Sequence, residues 1–460
     1  MNLSNNNYRQ RDVNVLEPTR FGSYLFLQGP ASLFFSELAS ALRERRHRVS
    51  RINFNGGDRA FWRLPGAVDY LGDQQNFPSF LLRQFVERRV TDLVLLGDCR
   101  PLHRMAIEAS RFFDIRTHIF EEGYIRPDWI TLERSGVNGF STLPRDVDSF
   151  LAAASKLNIE PDPVEIPSRL SRRALDDVVY AVSTLLMAWR YSKYRRHWPY
   201  GQFAEYSYGG RRVISRMLKG HVHQRKIAEI IGNDRDYYVF PMQVDADSQI
   251  IFHSQFAGQA EVITLVLKSF SCWAPENSQL VITEHPLETS PTRWKKLVTA
   301  QAATLGIASR VQFLPGGSPK ELLAKSRGIV VVNSTTGHQG LELGVPVIAL
   351  SPAVFNLAGI TFQGGLDKFW NEACPANRQW VEAYRKVVIH RTQINGGFFS
   401  RKGIKFAVAN AVMRMEAVNR GQENMAETEN RVATQGRVRR QGGKSFESVF
   451  LNPMRAGSRQ

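Results

Sequence analysis

From Gly22 onward, short apolar runs alternate with longer amphipathic ones. "SYLFLQG" reads as a strand, "ASLFFSELASALRERR" as a helix with Phe34, Leu38 and Leu42 on one stripe, and "RVSRINF" as a second strand. The succession continues through "FLLRQFVERRV" (helix), "TDLVLLGD" (strand), "PLHRMAIEASRFF" (helix) and "IRTHIF" (strand), which runs into "EEGY". Strands alternating with helices in this way predict a parallel sheet with helices on both faces. Past residue 230 the rhythm returns: "DYYVFPMQV", "SQLVITEHP", "RVQFLPG", "GIVVVNSTTG" and "VPVIALS" read as strands. Helical stretches separate them near 257–271, 291–305, 319–326 and 337–343.

The fold class expected is therefore α/β, with two doubly wound, Rossmann-like lobes whose parallel sheets face a central cleft. The expected boundaries are a flexible N-terminus over 1–20, a first lobe over 21–165 and a helical connector over 166–230. A second lobe follows over 231–415 and a disordered polar tail over 416–460, where Gly, Gln, Asn, Glu and Arg replace the periodic pattern. A chain of 460 residues exceeds one ordinary core, which agrees with two lobes.

Composition narrows the class. With 43% hydrophobic and 22% charged residues the chain is globular. Cys99, Cys272 and Cys374 lack metal-type spacing and cannot all pair, which suits a reducing compartment and makes the cytoplasm the default. The first twenty residues lack a signal-peptide core, and no stretch approaches the apolar length of a membrane span. A formal charge of +17 implies an acidic partner.

Much of that charge is local. Residues 169–226 hold 13 Lys or Arg against three acids, with nine Tyr, Trp or Phe among them. The first part, "DDVVYAVSTLLMAWRYSKYRRHWPY", reads as a helix with acids in its first turn and Arg and Lys in its last. Rings among cations suit a phospholipid headgroup interface, and an interdomain helix with a solvated basic face explains the pattern equally well. No nucleic-acid reader motif accompanies the charge, so nucleic acid is not an expected partner.

If the sheets are parallel, polar residues directly after strands share one cleft. Gln28 and Gly29 follow the first strand, where a Gly turn alone says little. Glu121 and Glu122 follow "IRTHIF"; a carboxylate there can take a proton from an attacking hydroxyl, or Glu122 can pair with Arg126. The run "YYVFPMQVDADSQI" ends in Gln243, Asp245 and Asp247, ordinarily the mark of a solvated turn. "VITEHPLE" places Glu284 and His285 after another strand, where a His can donate to a phosphate or carboxylate. Ser334, Thr335, Thr336 and Gly337 in "VVNSTTGHQGLELGVPVIAL" offer hydroxyls and N–H groups to a nucleotide phosphate. No metal site is expected: His221 and His223 lack a nearby carboxylate or Cys. Gly-x-Ser-x-Gly, Walker A and Gly-x-Gly-x-x-Gly are absent, which sets aside hydrolase, ATPase and dinucleotide readings.

Five of these segments in order, "FLQGPASLFFSELASALRERRHRVSRINFNGGD", "FEEGYIRPDWITLE", "PMQVDADSQI", "TEHPLE" and "NSTTGHQGLELGVPVIAL", resemble the capsule polysaccharide biosynthesis and export proteins of the KpsS/LipB type. The resemblance spans roughly residues 21–390. It implies a GT-B architecture, with the first lobe for acceptor and the second for donor. It also implies a glycosyltransferase that moves Kdo from CMP-β-Kdo, or a similar acidic sugar from its nucleotide, to an anionic phospholipid anchoring the capsule chain. Implied too are a peripheral position at the cytoplasmic face of the inner membrane, a capsule biosynthesis and export complex as partner, and no cofactor beyond the donor substrate.

Under this resemblance Asp247 is the nucleophile of a retaining transfer, with Asp245 its neighbour. His285 meets the donor's phosphate or carboxylate, Ser334, Thr335 and Thr336 surround CMP, and Glu121 serves the acceptor hydroxyl. Gln243, Gly337, Gln28 and Gly29 complete the donor set, with Glu122 and Glu284 as further candidates. Many GT-B donor loops carry a Glu for ribose where this chain has His338, Gln339 and Gly340, so the ribose contact is unassigned. Two other readings remain: a non-catalytic adaptor for lipid-linked capsule polymer, and a nucleotide-sugar epimerase indifferent to lipid.

Overall fold

A computed structural model describes residues 21–158, 163–167, 170–195, 222–245, 250, 254–286, 288 and 290–419. The first sheet contains β1 (Ser23–Phe26), β2 (Arg48–Asn53), β3 (Ala67–Asp69), β4 (Asp92–Leu96), β5 (Arg116–Glu122), β6 (Trp129–Glu133) and β12 (Gln393–Asn395). The second contains β7 (Tyr237–Pro241), β8 (Gln279–Thr283), β9 (Val311–Leu314), β10 (Gly328–Val331) and β11 (Val347–Ala349). The first runs β12-β6-β5-β4-β1-β2-β3 and the second β11-β10-β7-β8-β9. The five strands β5-β4-β1-β2-β3 are mutually parallel, as are all five of the second sheet. Both thus follow one doubly wound order, in which the chain starts at the centre, winds to one edge and returns to the other. The α/β architecture with two Rossmann-like lobes is the one the alternating pattern predicts.

Helices α1 (Phe34–Glu44), α2 (Gly56–Ala60), α3 (Phe77–Glu87), α4 (Pro101–Phe112) and α5 (Val147–Ser155) belong to the first lobe. The stripe of Phe34, Leu38 and Leu42 is fully buried, as its spacing requires. What buries it comes from the far end of the chain: Ala407, Ala411, Val412 and Met415 of the helix Arg401–Asn419 share its cluster. Residues 393–419 therefore sit on the first sheet although they follow the second in sequence. β12 pairs antiparallel with β6, and β6 antiparallel with β5, so two strands extend the parallel core with opposite direction. The return is invisible to strand-helix alternation, because a short strand and an amphipathic helix look alike whichever lobe they join.

Pairing with β6 also extends β5. Glu121 and Glu122 are its last two residues, opposite Thr131 and Ile130, rather than the start of a loop. One apolar cluster spans both lobes, joining Tyr124, Trp129 and Phe150 to Val239, Ile329 and Tyr384. Lys386 seals the same join by donating to the carbonyls of Ala154 and Leu157 at 3.0 and 2.8 Å.

Of the connector, α6 (Leu170–Leu186) lies on α2. Two glycines permit this: a Cβ on Gly56 would stand 2.1 Å from the Ser183 carbonyl oxygen, and one on Gly57 2.6 Å from the Tyr180 ring. The helix begins earlier than its sequence suggested. Asp176 and Asp177 sit mid-helix, Asp176 held by Arg172 one turn before it at 3.2 Å, and Arg190 and Lys193 follow the helix instead of closing it.

Candidate functional site

In a doubly wound sheet the crevice opens between the two strands from which the chain departs in opposite directions. In the second lobe these are β7 and β10, and their loops are tied together. The buried Gln243 amide donates to Asn333 Oδ1 at 3.0 Å, and the Asn333 N–H donates to Gln243 Oε1 at 3.3 Å. The loop after β8 joins them. Buried Glu288 accepts from the Asp245 N–H at 3.0 Å and from the Ser290 N–H at 2.7 Å. Glu284 is buried and His285 half-buried on that loop. Gln243, Asp245, Glu284, His285 and the Ser334–Thr336 loop are thus carried on three adjacent loops at one sheet edge. Asp247 lies outside the described residues.

Sequence reasoning passed over Asn333 and Glu288, the residues that connect these loops. The signal existed, since each stands beside a strand end in a quoted motif, but neither carries an obvious chemical role of its own.

The hydroxyl loop is shaped by what lies beneath it. Ser334 Oγ donates to Thr336 Oγ1 at 3.2 Å, and the Gly337 N–H donates to the Ser334 carbonyl at 2.9 Å. The helix Thr336–Glu342 then packs down because it has no side chain where contact is tightest. A Cβ on Gly337 would stand 2.4 Å from the Phe355 ring, and one on Gly340 2.7 Å from Ile329 and Val347. Behind this helix start, His338 stacks between Tyr124 and Tyr384, with ring centroids 6.2 and 5.7 Å away. Its Nδ1 lies 3.3 Å from the Tyr384 hydroxyl, and its Nε2 has no hydrogen-bond partner among the described residues. Burial, reinforced by the Arg126 charge, holds its pKa down at about 3, so the ring is neutral at pH 7. Tyr124 follows β5 of the first lobe, and its hydroxyl is anchored on buried Glu133. The carboxyl edges of the two sheets therefore meet beside the hydroxyl loop.

In the first lobe the departing strands are β1 and β4. A cavity opens there, lined by Gln28, Arg100, His103, Lys193, Tyr194 and Arg195 among others. Gln28 Nε2 lies 2.7 Å from the Tyr180 hydroxyl and 3.3 Å from both Asp58 Oδ2 and the Tyr194 hydroxyl. Asp58, fully buried, also accepts from Tyr180 at 2.9 Å, from the Phe54 N–H at 3.0 Å and from Arg51 at 3.5 Å. Gly29 packs under Phe35, whose ring a Cβ would approach to 2.5 Å. Gln28 and Gly29, expected with the donor set, lie in this first-lobe crevice, whereas Gln243 and Ser334–Gly337 lie in the second.

Glu121 lies at the same edge. Burial, with the carboxylates of Glu122 and Asp98, pushes its pKa up to about 7 against the Glu122 N–H, which donates to it at 3.0 Å, and the Arg100 charge. A carboxyl poised there can take a proton at neutral pH. Glu122 pairs with Arg173 of α6 at 3.3 Å rather than with Arg126, which instead donates to the Gly123 carbonyl. The edge thus presents a proton acceptor beside a cationic crevice. Among the described residues no group of three or more His, Cys, Asp or Glu is arranged to hold a metal ion, and no helix is long and apolar enough to cross a membrane.

Comparison with known proteins gives the family. Residues 91–399 match the family described as "Capsule polysaccharide biosynthesis protein". The chain is 32% identical over 383 residues to the capsule polysaccharide export protein KpsS of Escherichia coli, covering 82% of this chain and 96% of that protein. It is 31% identical over 395 residues to the capsule polysaccharide modification protein LipB of Neisseria meningitidis serogroup A, covering 84% of this chain and 94% of that protein. Among solved structures, the β-Kdo 2,7 transferase KpsC of Thermosulfurimonas dismutans aligns at 13% identity and a TM-score of 0.40, over 85% of this chain and 99% of that one. With the family match and two relatives aligned along nearly their whole length, the chain belongs to the capsule polysaccharide biosynthesis proteins.

Proposed function

We propose that this protein is a retaining glycosyltransferase that moves Kdo, or a similar acidic sugar, from a CMP-sugar to an anionic phospholipid at the cytoplasmic face of the inner membrane. The observation that carries the reading is the bonded set of loops at the second sheet's carboxyl edge, Gln243 with Asn333 and Asp245 with Glu288, which ties three loops into one polar rim. A nucleotide sugar with a phosphate and a carboxylate asks for hydroxyls, N–H groups and further hydrogen-bond donors, and Ser334, Thr335, Thr336 and His285 supply them on adjacent loops.

Chemistry then follows from charge. As the bond from the anomeric carbon to CMP breaks, positive charge develops on the sugar; Asp247 attacks that carbon and CMP leaves with the bonding electrons. The acceptor hydroxyl, losing its proton to Glu121, next attacks the same carbon and releases Asp247. The cationic cavity of Arg100, Lys193 and Arg195, whose Arg100 charge also acts on Glu121, suits an acceptor that carries phosphate.

The test is CMP release from CMP-Kdo on adding phosphatidylglycerol vesicles, with mass spectrometry of the lipid. Asp247→Asn is expected to abolish transfer, and undiminished transfer would remove Asp247 from the mechanism. The E. coli relative's name describes an export protein, which favours a second reading, an adaptor for lipid-linked polymer. That reading requires Asp247→Asn and His285→Ala to leave the lipid-linked sugar intact while export fails.

A further inference from the structure

Helix α6 packs with its polar side inward. Tyr180 and Thr184 face the first lobe, where the Tyr180 hydroxyl meets Asp58, Asn55 and Gln28 and the Thr184 hydroxyl accepts from the Gly57 N–H at 3.2 Å. Outward, Leu175, Val178, Val182, Leu185, Leu186 and Trp189 are 49% to 78% exposed. Their spacing puts them on one stripe, the stripe a surface helix ordinarily buries. Together with Val179, seven of the eighteen large apolar side chains exposed among the described residues fall within these fifteen positions, so this is a patch and not scatter.

Charge decides what the patch fits. Lys193 and Arg195 follow Trp189 and line the first-lobe cavity. The sequence then adds Arg196, Arg211, Arg212, Arg216 and Lys219 against the single acid Glu205 before residue 220. An apolar stripe ending in an exposed Trp and continued by cations matches an anionic bilayer surface: acyl chains for the stripe, the headgroup boundary for Trp, phosphates for Lys and Arg. A second copy of the chain would bring like charges together, and at about 25 Å the helix has the length to lie in the interface plane.

We propose that the outer face of α6 and the turn after it dock this protein onto an anionic lipid bilayer, with Leu185, Leu186 and Trp189 inserted and Lys193 and Arg195 at phosphate level. This deepens the reading above, since it rests on an acceptor drawn from a membrane. The first-lobe cavity, which shares Lys193 and Arg195, then lies at the headgroup layer, with Arg100 of its lining acting on Glu121.

The test measures co-sedimentation of the full chain with phosphatidylcholine vesicles, with and without phosphatidylglycerol. The variant Leu185→Gln/Leu186→Gln/Trp189→Gln alters only exposed side chains, so its thermal unfolding is expected to match wild type while its partition onto anionic vesicles falls about tenfold or more. Lys193→Gln and Arg195→Gln are each expected to weaken binding roughly fivefold on phosphatidylglycerol vesicles and little on phosphatidylcholine alone. The triple variant should still transfer sugar to a short-chain, water-soluble phosphatidylglycerol at the wild-type rate. Absence of that transfer in wild type would sink the enzyme reading and leave the vesicle result standing. Wild-type partition by the triple variant, wild-type failure to bind anionic vesicles, or loss in the variant of a lipid-free, concentration-dependent dimer would each overturn the docking proposal.

Discussion

Replacing Glu121 by Gln removes one ionisable group and keeps the shape of the side chain. In the folded protein burial, with Glu122 and Asp98, raises the carboxyl from 4.5 to about 7. A folded-state pKa above the unfolded one means that the native state binds the proton more tightly. The stabilisation this provides is complete below about pH 4.5 and is lost as pH rises through about 7. The separation corresponds to at most about 3 kcal/mol. Because the side chain keeps some contact with water, screening reduces this to about 1–2 kcal/mol.

Glu121→Gln escapes the penalty. The variant should be more stable than wild type at pH 8 by that amount, about 1–3 °C in Tm for a chain of this size, and nearly equal to it at pH 4. Thermal unfolding of both proteins across pH 4–9 measures the difference directly. The same substitution should lower sugar transfer about 10²–10⁴-fold at neutral pH. More stable and less active is the signature of a group held for chemistry against its own solvation. A stability difference that does not change with pH, or that changes only around pH 4–5, would refute the reasoning.

Three further expectations follow from named contacts. Gly337→Ala drives a methyl to 2.4 Å from the Phe355 ring, and is expected to cost about 1–3 kcal/mol and to raise KM for the nucleotide sugar by displacing Ser334–Thr336; an unchanged KM would detach that loop from donor binding. Tyr180→Phe removes the hydroxyl shared by Asp58, Asn55 and Gln28, and should destabilise the docking of α6 by about 1–3 kcal/mol, read as faster amide exchange along that helix. His338, held neutral with its pKa at about 3 against an ordinary 6.5, favours the folded state fully above pH 6.5 and progressively less toward pH 3, so His338→Gln should flatten the acid limb of the thermal stability profile relative to wild type.

Periodicity along the chain is enough to identify helices flanking each parallel core, the strands β1, β2, β4 and β5 of the first sheet, all five strands of the second and the polar loops at their carboxyl ends, whereas the short β3 and the antiparallel β6 and β12 escape it. Each feature so identified is a property of neighbours in sequence: a strand reads as a short apolar run, a surface helix as a stripe, and parallel βα units must turn at the same edge. That is why Gln243, Glu284, His285 and Ser334–Thr336 stand out as candidates before any contact is known. The pairing of Gln243 with Asn333, ninety positions away, is of another kind. So are the return of the helix Arg401–Asn419 to cover Phe34, the antiparallel strands that draw Glu121 and Glu122 into β5, and the stacking of Tyr124 on His338 across the lobes. No local pattern encodes these, because burial and hydrogen-bond satisfaction between distant segments choose among partners that look equivalent in sequence. Helix α6 states the division most clearly: its sequence contains two faces, and only packing against Gly56 and Gly57 decides that the polar one turns inward and the apolar one is left at the surface.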